Sequence, residues 1–186
     1  MSDWSNTTLT CLAVVVSSAA LLLGSGMSPR VVEEKEFSII GIEVRTNNAQ
    51  EKTDKGAIGK QWGRFYQEGL LQKIPGKVDS TIYSVYTDYQ SDRNGDYTYV
   101  IGAKVSNTSA VPAGMVAKKV PAQKYAVITV ANGPVQTVIA QAWQEIWSLD
   151  DKGQLGGKRA YKADFEAYDT SQDPQNSHVD IYVGIK

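Results

Sequence analysis

From Val31 onward the chain gives one plan twice, and no other feature limits its fold so tightly. Each half reads strand, helix, strand, strand. The first opens with FSIIGIEVRT, residues 37–46, whose isoleucines and valines predict a strand. A polar, glycine-containing linker leads to IGKQWGRFYQEGLL, where Ile58, Trp62, Phe65 and Gly69 fall at helical spacing and Pro75 soon ends the helix. TIYSVYTDY, residues 81–89, alternates as a strand, Asn94-Gly95 predicts a hairpin turn, and YTYVIGAKV returns as the partner strand. The second half opens with KYAVITV, residues 124–130. A helix then starts near Pro134, a residue tolerated in a first turn, with Val135, Val138, Ile139, Ala142, Trp143 and Ile146 on one stripe. ADFEAYD, residues 163–169, a polar loop and VDIYVGIK, residues 179–186, complete it.

The helices correspond in detail: Ile58, Trp62, Phe65 and Tyr66 match Ile139, Trp143, Ile146 and Trp147. A unit of three strands and one helix buries its apolar face poorly alone. Two such units side by side predict an α+β fold, with one antiparallel sheet and both main helices on one face. The other face, near the pseudo-twofold seam, is then left free to be concave. The segment 106–123 between the halves, with two prolines, suits a loop or a short strand.

Composition narrows the function classes. Net charge is −1, which gives nucleic acid no broad electrostatic attraction. One cysteine, Cys11, excludes an intrachain disulfide and a cysteine zinc site, and one histidine, His178, excludes a histidine metal cluster. No metal or cofactor is expected. GQLGGK, residues 153–158, is similar to a phosphate loop, but its spacing is wrong and Arg159 follows where Ser or Thr should; it reads as a connector. The acidic run Glu33–Glu36 reads as a solvated surface.

Residues 1–29 form an apolar leader, and residues 30–186 form the domain, with halves at about 30–106 and 120–186. The run 9–27 approaches the length of a membrane span. Three readings stand: an anchor, a leader ahead of a start at Met27, or a packed helix. Arg30 and Lys35 after it favour a cytoplasmic domain. No helix-turn-helix fits before residue 37.

Strand alternation puts Glu166 and Tyr168 on one face of 163–169, and pseudo-symmetry puts Tyr86 on the same side. That face is either a solvated edge or the floor of a site that wants a negative charge beside an aromatic wall. Trp62 and Trp143 lie on the helical stripes, Tyr66 and Trp147 at their borders. Asp180 and Tyr182 share a face of the last strand and flank Glu166 if it pairs with 163–169.

In the order and spacing of AWQEIW, DFEAYD and VDIYVGIK the chain resembles the gyrase-inhibitory-protein-like effector-binding domains of bacterial transcription regulators. GDYTYVIGAKV and VPAGMVAKKVPAQKYAVITVANGP are most similar to their integron-cassette subgroup. The resemblance covers about residues 32–186. It implies a cleft between the halves that binds bulky, cationic, aromatic small molecules, with Glu166 meeting the charge. The aromatic residues Tyr168, Tyr86, Trp143, Trp62, Tyr66, Trp147 and Tyr182 are candidates to line that cleft. The leading expectation is a stand-alone sensor or sequestering protein with no catalytic residue; because no helix-turn-helix fits, any role in transcription regulation runs through a protein partner rather than direct DNA contact, and a homodimer is left open. The alternatives are a hydrolase of cyclopropane-bearing toxins and a gyrase-protecting interaction protein.

Overall fold

The strand-rich stretches pair with one another into a single sheet. The computed structural model describes residues 29–130, 135–169 and 178–186. The apolar run 9–27, Pro134 and the polar loop at 170–177 lie outside them. Eight strands follow in chain order: β1 (Arg30–Glu34), β2 (Phe37–Thr46), β3 (Ile82–Thr87), β4 (Tyr97–Val105), β5 (Val116–Val120), β6 (Gln123–Val130), β7 (Ala163–Tyr168) and β8 (Val179–Ile185). The helices are α1 (Asn48–Glu51), α2 (Ile58–Gln67), α3 (Leu70–Lys73) and α4 (Val135–Asp151). Among the described residues no helix is long and apolar enough to cross a membrane.

Strand order is β1-β6-β8-β7-β3-β4-β2-β5, with every neighbouring pair antiparallel. The middle six strands show the duplication directly. One half supplies β6, β8 and β7, the other β2, β4 and β3, and the pair β7–β3 is the seam. The two outer strands are exchanged between halves. β1 leads into the first half yet pairs with β6; β5 leads into the second yet pairs with β2.

This exchange curls the sheet. On a flat sheet β1 and β2 would stand six strand spacings apart, about 29 Å at about 4.8 Å each. Yet only Lys35 and Glu36 connect them, a reach of roughly 11 Å. Pro121 and Ala122 impose the same limit between β5 and β6. The edges therefore approach one another, and the helix-free face closes around a core. The Phe165 ring (β7) lies 5.4 Å from Phe37 (β2) and 5.1 Å from Tyr125 (β6), so residues from opposite sides of the seam meet there. Ile39, Val85, Val100, Val120, Val127 and Ala163 fill the rest. The concave hollow expected on this face is thus occupied by the protein's own side chains.

The other face carries the helices. Phe65 of α2 and Leu70 of α3 pack on Ile40, Ile42, Ile82, Tyr99 and Ile101. Ala142, Ile146 and Leu149 of α4 pack on Ile128, Ile181 and Val183. The α2 stripe is as its spacing predicts, but Gly69 adopts φ 59°, and this left-handed residue separates α2 from the short α3. Ala57 cannot cap α2. The Glu51 carboxylate takes its place, accepting from the Ala57 and Ile58 amides at 2.9 and 3.1 Å. The β3–β4 connection is longer than the expected Asn94-Gly95 hairpin. β3 ends at Thr87, Asp88 turns at φ 50°, and the Arg45 guanidinium donates to the carbonyls of Asp88 and Asp96. The acidic run also contains strand: Glu33 and Glu34 belong to β1, their backbones paired with Lys124 and Gln123.

Gly41 and Gly102 face each other between β2 and β4. A Cβ on Gly41 would fall 2.1 Å from the Ile101 carbonyl oxygen, and one on Gly102 2.1 Å from that of Ile40. Gly41→Ala must therefore push two central strands apart. It is expected to cost about 1–3 kcal/mol or more, read as a lower urea midpoint; an unchanged midpoint would show that the strands can separate freely.

Candidate functional site

Cross-strand pairing at the seam builds a polar cluster beneath the two helices. Ser84 stands opposite Glu166, Tyr86 opposite Asp164 and Ile82 opposite Tyr168. Directly opposed residues share a face. Asp164, Glu166 and Tyr168 therefore point toward α2 and α4, while Phe165 points into the opposite core.

Glu166 is 1% exposed. Its Oε1 accepts from the Tyr86 hydroxyl at 2.8 Å and from the Trp143 indole N–H at 2.6 Å; its Oε2 accepts from the Tyr168 hydroxyl at 2.7 Å. All three donors are neutral, and among the described residues no cationic side chain bonds this carboxylate. Rings surround it. Tyr86 meets Trp143 edge to face at 5.3 Å, Tyr168 meets Trp62 at 4.9 Å, and Trp62 stacks on Tyr66 at 5.6 Å. Tyr66 is 65% exposed and forms the outer rim.

The neighbouring acid shows what is missing. Asp164 is also fully buried, two residues earlier on the same face. It is paired with the buried Arg159 guanidinium, and it accepts from the Tyr89 hydroxyl and from the Gly184 amide at 2.7 Å. Arg159 lies in turn over the Tyr161 ring, 4.5 Å from its centroid. One strand face thus carries two buried carboxylates, one with an internal cation and one without.

The electrostatic consequence is direct. Hydrogen bonds to a charged group contribute about 1.5–3 kcal/mol each, whereas removing a carboxylate from water costs several kcal/mol. For Glu166 burial wins. It raises the pKa above the ordinary value, although the bonds from Trp143, Tyr168, Tyr86 and Ser84 pull it back down. Burial, followed by the nearby Glu166 charge, pushes Tyr86, Tyr168 and Tyr99 well above the ordinary phenol range, so they stay protonated donors. Among the described residues no three His, Cys, Asp or Glu side chains converge to hold a metal.

Five of the seven candidate aromatic residues gather around Glu166; two do not. Tyr182 stands opposite Phe165 in the β7–β8 register and stacks on it at 4.2 Å and 12°, inside the opposite core. Asp180 shares its face, accepting from the Thr129 hydroxyl and pairing with Arg30 at 3.4 Å, away from Glu166. Register explains both, because Ile181 is the residue opposite Glu166. Trp147 lies one turn beyond Trp143 and faces a separate hollow beside Lys52. The sequence reading missed Ser84 and Tyr99, which bond each other at 2.7 Å beside the carboxylate; the two-residue spacing from Tyr86 to Ser84 was the available signal.

The two acids should respond oppositely to mutation. Arg159→Met strands the Asp164 charge and is expected to cost about 3–5 kcal/mol in urea unfolding. Glu166→Gln is expected to leave stability at neutral pH unchanged or higher. The raised pKa makes the folded state bind more protons than the unfolded chain, so stability falls as pH rises from the ordinary carboxylate value through the raised one. Glu166→Gln should flatten that slope; a slope unchanged by the substitution would assign it to another group.

Comparison with known proteins follows the same outline. The model of the family described as integron-associated effector binding protein matches residues 30–185. YobU of Bacillus subtilis (strain 168), provisionally named a transcriptional regulator protein, is 32% identical over 148 residues, 78% of this chain and 90% of its own. The transcriptional regulator BrlR of Pseudomonas aeruginosa is 38% identical over 165 residues, 86% of this chain but 56% of BrlR. Among solved structures, an integron cassette protein of Vibrio cholerae superposes with a TM-score of 0.68 at 28% identity, covering 86% of this chain and 96% of its own. SAV2435 bound to tetraphenylphosphonium superposes at 0.70 with 20% identity, covering 86% and 94%, and shares the fold.

Proposed function

The chain belongs to the family of integron-associated effector binding proteins, and from that premise we propose that it is a receptor for a lipophilic, aromatic cation held at the seam by Glu166. The observation that carries this reading is the asymmetry between the two buried acids. Asp164 has its cation in Arg159; Glu166 has, among the described residues, neutral donors alone and keeps a raised pKa. A guest cation supplies the missing partner, and a neutral or anionic guest does not. The rings of Trp62, Trp143, Tyr86 and Tyr168 add attraction of about 0.5–2 kcal/mol each where a cation meets a ring face. Flat walls with few directed bonds admit many shapes. The bound tetraphenylphosphonium of SAV2435 has this chemistry on the same fold.

Entry requires rearrangement, since Glu166 is 1% exposed. Trp143 and Trp62 close over it from the two helices, and both are partly buried. Their side chains must swing aside before a bulky cation reaches the carboxylate, and the displaced rings then become its walls. The Trp143 N–H is the bond most directly surrendered, because it comes from α4 rather than from the sheet. The output is a stand-alone sensing or sequestering role in the cytoplasm, passed to transcription through a protein partner, in keeping with the names of YobU and BrlR.

Calorimetric titration with tetraphenylphosphonium tests this. Glu166→Gln is expected to weaken binding by roughly 1–3 kcal/mol, about five- to 150-fold, while neutral triphenylphosphine oxide is little affected. Equal losses for both compounds would assign recognition to shape alone. Trp143→Phe keeps a ring but removes the competing N–H donor. It is expected to strengthen cation binding by about 1 kcal/mol, roughly fivefold; weaker binding would show that the indole N–H serves the bound state.

A further inference from the structure

A hollow lies at the far end of α4, and its chemistry is opposite to that of the seam. This open surface hollow holds about 520 Å³ between the last turns of α4, the β3–β4 turn and α1. Its apolar surface is the half-buried ring of Trp147. Arg93 of the turn pairs with Asp151 of α4 at 3.0 Å and donates to the Trp147 carbonyl at 3.4 Å, so these two charges neutralise each other and fix the wall. Lys52 and Lys152 remain. The Lys52 ammonium lies over the Trp147 ring, 5.7 Å from its centroid, so a guest ring must share that face with it, and among the described residues neither lysine is ion-paired with a carboxylate.

We propose that this hollow is a binding site for a flat aromatic anion, its ring laid on Trp147 and its carboxylate, phosphate or sulfonate between Lys52 and Lys152. A cation of the kind suited to Glu166 would meet two ammonium groups here and be repelled. An aliphatic anion would pair with the lysines but leave the indole surface uncovered, and a neutral ring would cover the indole but gain no charge. Only a molecule with both parts uses everything the hollow presents. The site does not depend on the reading of Glu166.

Calorimetric titration of the full chain with 2-naphthoate, 2-naphthyl phosphate and neutral 2-naphthamide tests the proposal. At least one of the two anions is expected to bind, and the tighter of them identifies the preferred acidic group. The amide should bind at least tenfold more weakly. The double variant Lys52→Gln with Lys152→Gln, both on exposed positions, should weaken the anion at least tenfold, whereas Lys60→Gln on α2 should not. Absence of binding by either anion, equal affinity for the amide, or equal effects of the double variant and Lys60→Gln would overturn it.

Discussion

The structure turns on a carboxylate buried without a cation. Glu166 is held at the seam by backbone pairing that its own energetics would not favour, since burial alone raises its pKa. The strand geometry leaves no alternative. With Phe165 committed to the opposite core, Glu166 must face the helices. Tyr86, Tyr168 and Trp143 offset part of the cost through hydrogen bonds, and being neutral they leave the charge itself unmatched.

The curl of the sheet decides where such a site can be. Exchanged outer strands draw the edges together, and Phe37, Phe165, Tyr125 and Tyr182 fill the face this encloses. That leaves the helix-bearing face of the seam, beneath α2 and α4. There each half supplies a helix with a tryptophan, and the two tryptophans are equivalent under the duplication. They do unlike things. Trp143 bonds the acid, and Trp62 packs against Tyr168 and carries Tyr66 outward. Duplication thus provided the frame, and the halves diverged within it: Ser84 and Tyr86 of β3 stand opposite Glu166 and Asp164 of β7, so both seam acids come from one half.

Much of this was legible in the residues. Six of the eight strands, both long helices and the shared face of Glu166, Tyr168 and Tyr86 follow from alternation and helical spacing, which are local properties. What escaped is set by contacts distant in sequence. The β7–β8 register, which sends Tyr182 to the opposite core, depends on which residues of two separated strands align. Strand β1 is short and acidic, and pairs with a strand about ninety residues away. The choice of face for the site follows from the curl, and the curl from two short links whose meaning appears only once the pairing is known. The Arg159–Asp164 pair was hidden for another reason: nothing in GGKRAYKADFE separates a buried arginine from a solvated one.

The central claim concerns the state of one side chain and is best tested at that side chain. Carbon-13 labelling of the glutamate δ-carboxyls, followed by NMR titration with Glu166 assigned by mutation, reads its protonation directly. The account predicts that Glu166 titrates above the ordinary glutamate value in the free protein and shifts downward when tetraphenylphosphonium is present. A carboxyl that titrates at the ordinary value, or one indifferent to the cation, would contradict it.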